Sequence, residues 1–238
     1  LRKNVEEVLV KNIIRELTKS VETSVKVQEP GLEEIVFEGT LDEVNEFFLQ
    51  KQWSDGLPIV PPTPDRVRKF LEFTDRKPGD VIGIYAPENR EATIWNTAVN
   101  GVMAGCRPEY MPVLIAIAEA LADPDFHLRD AGATPGWEPL IILNGPIIKE
   151  LDFNYETAVL RVGRQANTSI GRFIRLYMRN VAGLRITPGD TDKGSIALGL
   201  NVVLAENEDA VSELGWESYS SERGFGREDN VVTVQSAL

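Results

Sequence analysis

A chain of 238 residues, 42% of them apolar and with a formal net charge of −12, is sized and composed for one large globular domain rather than a disordered segment. The acidic balance excludes a phosphate-tracking nucleic-acid surface and disfavours an anionic membrane, and no apolar run is long enough to span a bilayer. One cysteine and one histidine exclude an internal disulfide and an all-protein Cys/His zinc site, which makes a reducing cytoplasm the expected compartment.

In chain order, Val5, Leu9, Ile13 and Leu17 recur at helical spacing with Glu and Lys between them. The spacing predicts an amphipathic helix whose apolar stripe needs a partner surface. The stretch is charged throughout and lacks the apolar centre of a secretory signal. The chain starts at Leu1 and stops just after an apparent strand, as expected of a trimmed or processed chain. Residues 1–28 are read as this helix and its linker, and 29–238 as a single α/β domain.

Pro30-Gly31 marks a turn, and "EIVFEG" reads as a short strand. "TLDEVNEFFLQKQ" reads as a helix with Thr40 as N-cap and Glu43 completing a capping box. "WSDGLPIVPPTP", with four prolines, is a rigid extended loop without a ladder. A helix from Asp65 follows, with Val67, Phe70 and Leu71 inward. "DVIGIYA" is a strand, and "REATIWNTAVNGVMAG" a helix ending near Gly105. "MPVLIAIAEALAD" is apolar nearly all round and should be deeply buried. "LIILNGP" suits a buried strand. "TSIGRFIRLYMRNVAG" is the clearest helix, with Ile170, Phe173, Ile174, Tyr177, Met178 and Val181 on its apolar face and Gly183 and Pro188 as the stop. "NVVLAENE" and "NVVTV" supply two late strands. The alternation implies an α/β fold: a layered sandwich with a mainly parallel or mixed central sheet and a helical N-terminal extension.

Cys106 lies between a glycine turn and a helix whose opening includes Pro108 and Pro112. The positive end of that helix and Arg107 favour a thiolate, whereas Glu109 opposes it. The expectation is an ionised, accessible sulfur facing a cleft. The competing reading is a free cysteine used for packing. His127 is the sole histidine available as a base. Arg172, Arg175 and Arg179 share one helix face, suited to an anion or to pairing with carboxylates. Gly163, Asn167, Thr168 and Ser169 form an anion-binding turn at that helix's start, unlike a P-loop or a G-x-G-x-x-G fingerprint. Asp190 and Asp192, with Glu206 or Glu208, could hold a divalent cation through oxygen ligands. Asn144 ends a buried strand, where α/β sheets line their ligand crevice.

The blocks "WSDGLPIVPPT", "VMAGCRPEYMPV", "LNGP", "ANTSIGRFIRLYMRNVAG" and "AENE…ERGF…DNVVTV" together resemble a bacterial and archaeal family. In that family W-S-D-G-L-P-x-V-P-P-T precedes an A-G-C-x-P-E-Y block. Its members are often associated with a small protein or domain bearing a UGSC motif, selenocysteine or cysteine followed by Gly, Ser and Cys. The likeness spans roughly Gln52 to Val234. It implies one component of a cysteine- or selenocysteine-dependent enzyme, a thiol-linked oxidoreductase. It also implies a homo- or hetero-oligomer, with a UGSC-motif protein as the candidate partner. By that likeness the positions of interest are Trp53, Ser54, Asp55, Cys106, Arg107, Glu109, Tyr110, Asn144, Arg164, Asn167 and Arg172. The segment after LNGP is glycine-rich in the family but reads "IIKELDFNYETAVLRVG" here, so the substrate need not match.

The leading reading is therefore an enzyme subunit acting on a small molecule. Cys106 is catalytic, Asp55 and Glu109 are acid or base, and Arg107 and Arg172 orient substrate. Two alternatives stand beside it: a non-catalytic partner subunit of a small redox protein, and a metal-dependent lyase or hydratase using carboxylates.

Overall fold

The computed structural model describes residues 5–18, 31–86, 89–130, 137–184 and 202–237. The chain divides into two compact units, 1–34 and 35–238. In the first, a π-helical turn at Val5–Leu9 runs into α1 (Val10–Thr18). Val5, Leu9 and Ile13, the predicted stripe, are exposed. Neither the Leu17 side chain nor Pro188 falls among the described positions.

The second unit is of mixed α/β class. Residues 34–39, predicted as a strand, form no ladder. A run of β-favouring residues makes a strand only when a neighbour supplies hydrogen bonds, and here Phe37 instead stacks its ring on Phe47 at 4.6 Å. α2 (Leu41–Gln50) starts at the predicted capping box: Glu43 N–H donates to Thr40 Oγ1, and Thr40 N–H donates to Glu43 Oε2 at 2.8 Å. The proline loop then runs without regular structure to α3 (Pro64–Leu71), which buries Val67 and Phe70.

β1 (Val81–Tyr85) pairs antiparallel with β2 (Arg90–Thr93). The sequence reading placed 90–93 inside the following helix. The difference is a Thr93 N-cap: its side chain accepts from Asn96 N–H, which starts α4 (Ile94–Ala104) and frees the preceding residues for the ladder. α5 (Met111–Ala122) lies against α4, β1 and β5. Its Leu114, Ile117 and Leu121 are fully buried, each contributing roughly 1.5–3 kcal/mol.

β3 (Glu138–Asn144) is the centre of a three-stranded mixed sheet. β4 (Val203–Ala205) is parallel to it and β5 (Val231–Ala237) antiparallel, with Asn144 opposite Val231. Between β3 and β4 the chain passes through α6 (Ile147–Glu150) and α7 (Gln165–Asn180); α8 (Glu208–Glu213) follows β4. α7 buries the predicted apolar face and closes with Leu184 N–H on Met178 O, Gly183 having φ +77. Among the described residues no helix is long and apolar enough to cross a membrane.

Candidate functional site

Cys106 follows Gly105, whose φ of +81 ends α4. The Cys106 N–H donates to Gly101 O at 3.0 Å, so the residue belongs to the C-terminal closure of α4. A 3-10 turn at Pro108–Tyr110 separates it from α5. The negative end of α4 thus meets the sulfur before the positive end of α5 does. The thiol is buried, and burial pushes its pKa up to about 12, against smaller downward pulls from Ser169 and Arg172. The resting group is a protonated thiol, not the ionised, open one expected from sequence. Ser169 beside it is 7% exposed, its hydroxyl set against the thiol. His127 is exposed on a left-handed turn.

The W-S-D-G-L-P loop is clamped along α7. Arg172 Nε and Nη2 donate to Asp55 Oδ2 and Oδ1 at 3.1 and 3.0 Å, and Nη2 also reaches Pro58 O at 2.8 Å. The pair is largely buried, the Arg172 and Asp55 side chains being 16% and 4% exposed. Burial alone would raise the Asp55 carboxyl. The Arg172 hydrogen bonds and charge, with backbone N–H groups, outweigh that and hold it below the usual carboxylate range. Ser54 closes the loop, donating to Leu57 O at 2.6 Å and accepting from Gly56 N–H at 3.2 Å. Trp53 sits edge-on to Phe47 and Phe48, and its carbonyl accepts from Asn180 Nδ2 at 3.0 Å. Arg179 Nε donates to Gln52 O at 2.8 Å, and Arg175 pairs with Glu138 at 3.2 Å. The arginine face therefore fastens loop and sheet to the helix.

Around the cysteine, the Arg107 guanidinium lies 4.9 Å from the Tyr110 ring and its Nε 3.8 Å from Glu109, which is half exposed. Tyr110 is buried and packs on Phe153, and burial raises its hydroxyl pKa. Asn167 is consumed by the backbone, with Oδ1 accepting from Asn154 N–H and Nδ2 donating to Asn154 O and Val203 O. Arg164 pairs with Asp152 at the surface.

Asn144 stands in different surroundings. It is fully buried where β3 ends. Its Nδ2 donates to Glu206 Oε2 and, at 2.9 Å, to Glu208 Oε1. Tyr219 N–H also donates to Glu206 Oε2 at 2.9 Å, and Gly145 N–H to Glu208 Oε2 at 3.2 Å. Asn144 Oδ1 is buried with no partner among the described residues. The local sequence explains the convergence. β4 ends at Ala205, Asn207 caps α8 by accepting from Ala210 N–H, and Glu206 and Glu208 flank that cap. Gly145, at φ +98, is required because a Cβ there would fall 2.3 Å from Asp229 O.

These carboxylates line a crevice of about 240 Å³ with Gly145, Ile148, Lys149, Tyr155, Asp209 and Arg227. It opens where parallel β3 and β4 end, the usual ligand position of α/β sheets. Lys149 Nζ is held by Asp209 at 2.8 Å, and that hydrogen bond raises its pKa. Arg227 has no hydrogen-bond or ion-pair partner among the described residues. Sequence reasoning singled out Asn144 but treated Glu206 and Glu208 as metal ligands with Asp190 and Asp192, which lie outside the described residues. The overlooked signal was Glu-Asn-Glu directly after the second parallel strand. Among the described residues no three His, Cys, Asp or Glu side chains are grouped to hold a metal. No family profile, curated protein or solved structure matches this chain.

Proposed function

We propose that the chain is an enzyme or enzyme subunit that handles a small polar molecule in the β3–β4 crevice, with Glu206 as general base. The observation that supports this is the paired carboxylates on one buried amide. The two carboxylates meet on one amide where parallel β3 and β4 end, the place where α/β sheets bind their ligands. Both oxygens of Glu208 are engaged, whereas among the described residues Glu206 uses only Oε2, leaving Oε1 to take a proton from a substrate and return it. Proton transfer of this kind belongs to lyase, hydratase and isomerase chemistry. The reading takes the helices over the mixed sheet as a layered α/β sandwich.

A second reading is favoured by the buried Ser169 hydroxyl set against the Cys106 thiol. Here the chain is a component of a thiol-linked oxidoreductase. A partner such as a UGSC-motif protein would open the seam between the proline loop and α7 and supply the base. One experiment separates the two. The whole chain is screened by thermal shift against small polar metabolites, with Glu206→Gln and Cys106→Ala in parallel. Hits lost in Glu206→Gln and kept in Cys106→Ala support the crevice. The reverse pattern supports the thiol.

A further inference from the structure

The charges lining the crevice are unequal in availability. Lys149 and Asp209 neutralise one another at 2.8 Å. Glu208 spends both oxygens on Asn144 and Gly145. What remains, among the described residues, is an acceptor without a donor, Glu206 Oε1, and a cation without a partner, Arg227. A ligand that satisfies both carries a donor cation and an anion on one small frame. A phosphate or dicarboxylate would meet Arg227 but would sit against two carboxylates. A simple amine would leave Arg227 without a partner.

Space sets the size. About 240 Å³ is roughly eight waters' share of liquid volume, at about 30 Å³ each, which admits a molecule of about ten heavy atoms. A second recess of about 180 Å³ adjoins the first, sharing Glu208, Asp209 and Arg227; Ser212 and Ser218 line it too, and Val211 and the exposed Trp216 are its apolar part. A ligand side chain can lie on Val211 and Trp216 while the charged head remains in the first recess. Asn144 supports the same site from behind: it is fully buried, holds both carboxylates, and its own Oδ1 has no partner among the described residues.

We infer that the crevice takes a small zwitterion of the α-amino-acid type, its ammonium on Glu206, its carboxylate on Arg227 and its apolar side chain toward Trp216. The inference rests on the crevice being the functional site, and it adds the class of ligand.

Calorimetry on the whole chain tests it with L-leucine and two analogues, 3-methylbutylamine, which lacks the carboxylate, and 4-methylpentanoate, which lacks the ammonium. Leucine should bind at least about tenfold tighter than either, the size expected for one charged hydrogen bond. Glu206→Gln should weaken leucine and the amine alike. Arg227→Gln, at an exposed position where folding is not at stake, should weaken leucine about tenfold or more and leave the amine unchanged. Binding of 4-methylpentanoate equal to that of leucine, or leucine binding indifferent to Arg227→Gln, overturns the inference. If leucine fails to bind while other small molecules bind in a Glu206-dependent way, the zwitterion falls and the crevice stands. If no binding depends on Glu206, both fall.

Discussion

Replacing Arg172 by Met removes a guanidinium that makes two hydrogen bonds to Asp55 and one to Pro58 O. The Asp55 carboxylate, 4% exposed, would keep only local backbone donors. Breaking a buried pair from one side costs about 3–5 kcal/mol, because a charge is left uncompensated. For a domain of this size that is a fall in Tm of about 6–20 °C. Asp55→Asn keeps the shape and leaves Arg172 its carbonyl acceptors, so it should cost less, about 1–3 kcal/mol. Urea unfolding of wild type, both single variants and the double variant gives the coupling energy, expected at about 2 kcal/mol or more. The pH dependence has a definite sign. Asp55 has a lowered pKa in the fold, so its contribution is complete above the unfolded carboxylate value of about 3.9. It is lost as pH falls through the lower folded value. The gap between wild type and Arg172→Met should therefore close in acid. A coupling below about 0.5 kcal/mol, or a gap constant down to the acid transition, would refute the account of the loop as clamped by this pair.

Cys106 should resist a thiol reagent at pH 8 in the folded protein and react at once in denaturant. Because its pKa is raised to about 12 in the fold against about 8.5 unfolded, stability relative to Cys106→Ala should be flat below that unfolded value. Above it the difference should fall, by at most about 1.4 kcal/mol per pH unit. Rapid native labelling would contradict the buried thiol. Gly145→Ala should cost about 2–4 kcal/mol, since it adds left-handed strain to a Cβ contact with Asp229 backbone; a wild-type unfolding midpoint would show that the turn differs. Asn144→Leu removes the donor that Glu206 and Glu208 share, and should lower stability in urea unfolding by about 1–3 kcal/mol. A wild-type midpoint would mean that the amide bonds to the two carboxylates hold nothing in place.

Much of the fold was legible because the decisive signals are local. The Thr40–Glu43 box, the all-apolar α5 and the striped α7 declare themselves within a few residues. The errors came where a distant partner decides. Residues 34–39 carry the β-rich run Ile-Val-Phe yet have no ladder, whereas Arg90–Thr93 lacks a strand pattern and is paired. The site followed the same division. Asn144 at a strand's carboxyl end could be inferred from topology, but its pairing with Glu206 bridges 62 residues. Asp55 finds Arg172 across 117. No spacing rule reaches that far, so two residues cast as a catalyst and a substrate anchor turned out to face each other. Cys106 misled because a glycine before a proline-rich helix start advertises the helix to come and hides the one it terminates.

β3 has consequences beyond the site at its tip. Both of its neighbours come from residues 203–237, so after Asn144 emerges from the ribosome the strand waits for some sixty residues before either flank arrives. At about 5–20 residues per second that is roughly 3–12 seconds with a Leu-Ile-Ile-Leu ribbon bare on both edges. Nascent chains paused in that window are the ones that should recruit holdase chaperones, and codon changes that lengthen it should lower soluble yield without altering a single amino acid.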